Sequence, residues 1–126
     1  MPVYNFKKKF VAALQEDNKV QTIRKKRKRP TKKGDTLYLY TGQRTPECEL
    51  IMEVYCIGTV DTVVHEEGVN FGGVELMGEV LEEFASRNGF KSFREMKKYF
   101  RSHYELPFEG ETISWWPKGV AEREDE

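Results

Sequence analysis

The spacing of apolar residues changes along this chain from the two-residue repeat of β-strands to the helical repeat and back again. Alternation and turn residues predict strands at Val3–Phe6, Val20–Arg24, Thr36–Thr41, Glu49–Ile57, Thr59–Val64, Val69–Leu76 and Thr112–Trp116. The helical repeat predicts helices at Lys7–Gln15 and Glu79–Arg87, and a third that opens with Ser92 and ends at His103. Strands on both sides of a helical insertion, in only 126 residues, predict an α+β fold with helices packed on a small β-barrel.

The last two helices carry apolar stripes that predict their buried faces. The first stripe consists of Val80, Leu81, Phe84 and Ala85, and the second of Phe93, Met96, Phe100 and Tyr104. Ser92 and Glu95 have the spacing of a capping box, which predicts where the last helix begins. Gly72 and Gly73 predict a β-bulge within their strand.

The formal net charge of zero hides a strong asymmetry between the two parts of the chain. Residues 1–45 hold 13 Lys and Arg against 3 Asp and Glu, whereas residues 46–126 hold 8 against 18. The first part includes an uninterrupted basic run at Lys25–Arg29. This pattern indicates a polyanionic partner such as RNA, or else a basic face that the acidic part neutralises.

Nothing in the sequence has the length or composition of a membrane or secretory segment. No apolar run approaches the roughly 20 residues that cross a bilayer, and the first residues lack the apolar core of a signal peptide. We therefore expect a cytoplasmic protein without a membrane partner. Cys48 and Cys56 are predicted on one strand, about 26 Å apart, which is too far for a disulfide.

Lys19, Thr22 and Arg24 form the most informative group of polar residues. On a strand Thr22 and Arg24 point to the same face, and the long side chain of Lys19 can reach the same place. Arg24 could bind a phosphate or carboxylate, and a desolvated Lys19 could activate the Thr22 hydroxyl as a nucleophile. The alternative is that Thr22 only favours the strand and that both cations lie at the surface.

These residues resemble the Gly-x-Lys-x-x-x-x-Arg signature of ASCH domains, which belong to the PUA-like superfamily. The resemblance continues through Thr22–Arg24, Gly34–Gly42, Arg44, Glu83–Ala85, Gly89–Phe90, Phe93 and Ile113–Trp116. It implies one PUA-like barrel domain over residues 3–118, followed by a charged tail at 119–126. It also implies a basic cleft that binds RNA or a nucleoside-like ligand.

Some small bacterial ASCH proteins deacetylate N4-acetylcytidine with a Lys, a Thr and a Glu. The resemblance assigns Lys19 and Thr22 to the first two roles and Arg24 to ligand binding. Asn88 stands at the position of the family's Glu, so Glu82 or Glu83 would have to supply the acid. Asp17 replaces the leading Gly of the signature, beside Asn18, which tolerates left-handed backbone geometry.

Further ligand contacts are expected from cationic and aromatic side chains. The candidates are Lys25, Lys26, Arg27, Lys28, Arg29, Arg44 and Tyr40, with Tyr38, Trp115 and Trp116 as possible stacking partners for bases. The aromatic residues could equally be part of the barrel itself. His65 and His103 lack metal-site spacing with the cysteines, so neither a metal nor a cofactor is expected. The sequence leaves three functions open: a binding module for RNA or a modified nucleoside, an N4-acetylcytidine amidohydrolase, and a ribonuclease-like enzyme.

Overall fold

The structure, a computed structural model, describes residues 2–116 and combines seven strands with three α-helices over that range. The α+β class is thus confirmed. The strands are β1 (Val3–Phe6), β2 (Gln21–Arg24), β3 (Thr36–Thr41), β4 (Glu49–His65), β5 (Gly68–Phe71), β6 (Val74–Leu76) and β7 (Phe108–Trp115). The helices are α1 (Val11–Gln15), which follows a 3₁₀ turn at Lys8–Phe10, α2 (Gly78–Arg87) and α3 (Phe93–His103). The predicted tail at 119–126 and the last two residues of the predicted domain lie outside the described range.

The sheet is built around β4, which pairs antiparallel with β3, β5 and β7. Strand β1 adds to β3 in parallel, β6 adds to β5, and β2 adds to β7. Within residues 2–116 no backbone ladder joins β1 to β2, so the sheet does not close into the predicted barrel. Side chains instead form hydrogen bonds to this unpaired edge of β1. Arg24 donates to the carbonyl oxygen of Asn5, and Arg27 donates to that of Val3. We call this gap between β1 and β2 the seam.

Strand β4 is a single element of 17 residues where the sequence predicted two strands separated by Gly58. The register against β7 shifts between Cys56 and Gly58, which marks a bulge rather than an interruption. Its first part pairs with β3 and its last part with β5, so one long strand joins the two parts of the sheet. Cys48, which precedes β4, is exposed, Cys56 is buried, and both are free thiols.

Gly72 and Gly73 form the turn of a hairpin, not the predicted bulge. Strands β5 and β6 pair antiparallel on either side of them, with Phe71 opposite Val74. Both glycines have positive φ, at 60° and 91°, which two-residue hairpin turns require and which glycine adopts without strain. The segment from Val69 to Leu76 therefore contains two short strands.

The buried faces of α2 and α3 agree with the predicted stripes except at two positions. Val80 is 58% exposed and Tyr104 is 40% exposed, while the remaining stripe residues are buried in the core. Ser92 caps α3 as predicted, because its hydroxyl oxygen accepts a hydrogen bond from the backbone N–H of Glu95 at 3.1 Å. No helix among residues 2–116 combines the length and the apolar character needed to cross a membrane.

The segment that carries Lys19, Thr22 and Arg24 is held from two sides. Val20 donates its backbone N–H to the carbonyl oxygen of Arg87 at the end of α2, and Val20 in turn accepts from the N–H of Trp115 in β7. Beyond this point β2 continues alongside β7, with Thr22 opposite Ile113. The fold thus fixes this segment between the last strand and the C-terminal end of α2.

Candidate ligand-binding site

A cavity of about 200 Å³ opens where β1, β2, the loop after α2 and the end of α3 meet. It brings Lys19, Thr22 and Arg24 together, as the sequence predicted. The other lining residues are Asn5, Phe6, Lys7, Phe10, Ile23, Asn88, Phe90, Tyr99, Phe100 and Tyr104. The cavity therefore combines several hydrogen-bonding groups with a largely aromatic wall.

Thr22 and Arg24 project from the same face of β2, as the two-residue period of a strand requires. The Nε–H of Arg24 donates to the hydroxyl oxygen of Thr22 at 3.1 Å, and its Nη2 donates to the carbonyl oxygen of Asn5 at 2.7 Å. The guanidinium also lies 4.8 Å from the centre of the Phe6 ring. Arg24 is thus positioned by the Thr22 hydroxyl, the backbone of β1 and an aromatic face.

Lys19 is buried, with only 3% of its surface exposed. Its ammonium group donates to two backbone carbonyl oxygens, those of Gln21 at 2.9 Å and Asn88 at 2.6 Å. Burial, reinforced by the positive charge of Arg24, holds the pKa of Lys19 well below its usual value. None of the carboxylates among residues 2–116 forms an ion pair with it.

Asn88 occupies the cavity at the point where the ASCH resemblance expects a glutamate. Its side chain donates to the carbonyl oxygen of Phe84 at 2.9 Å, which fixes the orientation of the amide. Its amide oxygen is buried and accepts no hydrogen bond from any residue that the structure describes. A buried acceptor without a donor is costly, so a small shift of Asn88 that paired this oxygen with a ligand N–H would be favourable.

Glu82 and Glu83 do not line the cavity. Both are exposed on α2, where Glu82 accepts from the backbone N–H of Phe93 and Glu83 forms an ion pair with Arg87 at 3.0 Å. These contacts hold both carboxylates outside the cavity, and no Asp or Glu is among its lining residues.

The aromatic wall of the cavity comes from residues that the sequence did not single out for ligand contact. Phe10, Phe90 and Tyr99 pack edge-on or tilted against one another, with ring centres 5.3 to 5.9 Å apart. Tyr104 adds a further ring beside them. Only weak signals in the sequence pointed to them, namely the place of Tyr104 in the apolar stripe of the last helix and the place of Phe90 in the ASCH resemblance.

The basic run at Lys25–Arg29 lies beyond the cavity, and two of its members have structural contacts. The ammonium of Lys26 forms an ion pair with Asp61 at 2.6 Å. The guanidinium of Arg27 lies 4.0 Å from the centre of the Tyr4 ring and donates to the carbonyl of Val3. All five side chains are exposed, but none lines the cavity.

The remaining predicted contacts are also outside the cavity. Arg44 is exposed and has a positive φ of 66° in the turn between β3 and β4. Tyr40 and Tyr38 are half-buried on β3, whereas Trp115 is fully buried in the core. Asp17 itself has a φ of 58°, so the left-handed geometry lies at this residue and not at Asn18, where it was expected.

Comparison of the chain with protein-family models, with curated proteins and with solved structures gives no match. The resemblance to ASCH domains therefore stays a prediction. The residues that line the cavity are the basis for inferring a function.

Proposed function

We propose that the cavity binds the base of a nucleoside-like ligand, either free or as part of RNA. The observation that carries this proposal is the buried, unpartnered amide oxygen of Asn88 in a cavity that otherwise offers hydrogen-bond donors. A nucleobase presents donors and acceptors side by side along one edge, so it can satisfy both kinds of group at once. The ASCH-like identity and the cytoplasmic location are part of the same proposal.

The size and the walls of the cavity agree with a single base. Its volume of about 200 Å³ is smaller than the roughly 300–1,000 Å³ typical of pockets for drug-sized ligands. The rings of Phe10, Phe90, Tyr99 and Tyr104 offer aromatic surface to a flat π-system. Unpaired bases are commonly bound by stacking on such rings, which contributes about 1–3 kcal/mol per base.

Titration with cytidine, followed by calorimetry, tests this function. We expect binding by the unaltered protein and a loss of roughly tenfold or more in Asn88→Ala, since the ligand N–H then loses its acceptor. Asn88→Asp keeps an oxygen at the same place and serves as the matched variant, with melting temperatures measured for both. Absence of binding by the folded, unaltered protein would refute the proposal.

A second function, hydrolysis of N4-acetylcytidine, is favoured by the state of Lys19. A lysine that has lost its proton can accept the hydroxyl proton of Thr22, which lines the same cavity, and burial lowers the pKa of Lys19 toward that form. The Thr22 oxygen would then attack the acetyl carbon, cytidine would leave with a proton on its exocyclic nitrogen, and water would release acetate from Thr22. The absence of a carboxylate from the cavity lining places this function second.

Release of cytidine from N4-acetylcytidine distinguishes the two functions. In an amidohydrolase, Thr22→Ala and Lys19→Ala abolish turnover, whereas in a binding module Thr22→Ala lowers affinity by only about 1 kcal/mol. Turnover that persists in Thr22→Ala would rule out that nucleophile. Asn88→Glu introduces the carboxylate that the ASCH resemblance expects at this position. A gain of turnover in this variant would show that the unaltered protein is inactive because it lacks this acid.

A further inference from the structure

Four basic side chains surround the cavity and its aromatic wall without a neutralising carboxylate. Lys19 and Arg24 lie inside it, Lys7 is an exposed lining residue, and the ammonium of Lys9 lies 5.0 Å from the centre of the Tyr99 ring. The ion pairs within residues 2–116 all lie elsewhere, at Lys26–Asp61, His65–Glu75, Arg87–Glu83 and Arg101–Glu66. The field at the cavity entrance therefore attracts an anion, which a neutral nucleoside does not supply.

Lys7 is held at the entrance by His103. The Nδ1 of His103 lies 2.9 Å from the carbonyl oxygen of Tyr99, so Nδ1 carries the proton that this hydrogen bond needs. Its Nε2 then accepts from the ammonium of Lys7 at 2.6 Å. The imidazole is also stacked on the Tyr99 ring, with centres 4.2 Å apart. His103 thus positions Lys7 beside the aromatic wall.

We infer that Lys7 forms a phosphate subsite at the entrance of the cavity, and that the ligand is therefore a nucleotide rather than a nucleoside. An ammonium group has three donors, and only one of them is used on His103, so two remain for phosphate oxygens. The charges of Lys9 and Arg24 add to the attraction. This inference rests on the proposed function, because the phosphate is attached to the unit whose base enters the cavity.

The basic run is a poorer place for this phosphate. Its side chains do not line the cavity, Lys26 is neutralised by Asp61, and Arg27 is engaged with β1. Lys25, Lys28 and Arg29 remain available for other phosphates of a longer RNA. The phosphate next to the bound base is assigned to Lys7.

Calorimetric titration with cytidine and with cytidine monophosphate tests the subsite. We expect the nucleotide to bind about tenfold more tightly than the nucleoside, as a charge-assisted hydrogen bond would give. Lys7→Gln should remove this preference, so that cytidine monophosphate and cytidine bind with equal affinity. Lys8→Gln is the matched control, since it removes a neighbouring exposed charge that does not line the cavity. His103→Gln should reduce the preference for the nucleotide over cytidine, since His103 positions Lys7.

Equal binding of nucleotide and nucleoside, or a preference that survives in Lys7→Gln, would overturn the inference while leaving the proposed function intact. Failure of both ligands to bind would instead refute the proposed function. A single-stranded oligonucleotide containing cytidine identifies the source of the phosphate. If the oligonucleotide binds at least as tightly as the mononucleotide and depends on Lys7 in the same way, the phosphate belongs to RNA. If it binds much more weakly, the ligand is a free nucleotide.

Discussion

The ammonium nitrogen of Lys19 lies 2.6 Å from the backbone carbonyl oxygen of Asn88, a residue 69 positions further along the chain. This hydrogen bond ties the segment before β2 to the end of α2. It also means that a buried cation is stabilised by peptide dipoles and aromatic faces instead of a carboxylate. Burial and the positive charge of Arg24 nevertheless disfavour the charged form of Lys19, which links the site to the stability of the protein.

The stability of the protein should depend on pH through Lys19. Its pKa in the folded state lies well below 10.5, the value for an exposed lysine, so the unfolded chain binds more protons between these two values. Stability therefore rises with pH across this interval, by at most about 1.4 kcal/mol per pH unit. We expect the Lys19→Met variant to lack this rise in stability with pH. Urea unfolding of both proteins at about pH 7 and about pH 9.5 measures it.

The other titrating groups are common to both proteins, so the difference between the two pH profiles isolates Lys19. Parallel profiles would show that Lys19 is charged in the folded protein throughout this range.

Arg24→Lys should weaken the seam. A lysine retains the positive charge but cannot donate simultaneously to the Thr22 hydroxyl and the Asn5 carbonyl with the geometry of a guanidinium. We expect the free energy of unfolding to fall by about 1–3 kcal/mol, measured by urea denaturation. Arg29→Lys is the control, because Arg29 is exposed and lies outside the cavity. Equal effects of the two substitutions would contradict a specific role for Arg24 at the seam.

Gly110→Ala should separate β2 from β7. A Cβ atom at this position would lie 2.3 Å from the carbonyl oxygen of Arg24 and 3.0 Å from its carbonyl carbon, and backbone cannot move away as a side-chain end can. We expect destabilisation by about 1–3 kcal/mol and faster hydrogen exchange at the β2 amides. Affinity for cytidine should fall as well, since Arg24 is displaced. Unchanged exchange at Ile23 and Arg24 would show that the strands accommodate the methyl group.

The local features of the site could be predicted from the sequence, and its distant partners could not. The two-residue period of a strand placed Thr22 and Arg24 on one face, and the length of Lys19 allowed it to converge with them. The aromatic wall depends on how α3 packs against the 3₁₀ turn, which joins Phe10 to Tyr99. That contact has no signature in the spacing of nearby residues.

The same limit explains the predictions that differ from the structure. Gly58 predicted a break because a glycine ends many strands, but pairing with β7 on one side carries β4 through it as a bulge. Val80 fits the helical repeat, yet it falls outside the buried face of α2. Closure of the barrel depends on whether two edge strands approach within backbone hydrogen-bonding distance, and a linear pattern of residues does not encode that approach.

The seam also affects how easily the width of the cavity can change. Where two strands share a ladder, the space between them can widen only if backbone hydrogen bonds break. These bonds therefore keep the separation of the strands constant. At the seam Arg24 and Arg27 span the distance, and rotation about their side-chain bonds alters the separation while every ladder stays paired. On this side the width of the cavity is therefore set by the side chain of Arg24 and not by a backbone ladder, so a single substitution can change that width without rebuilding the sheet.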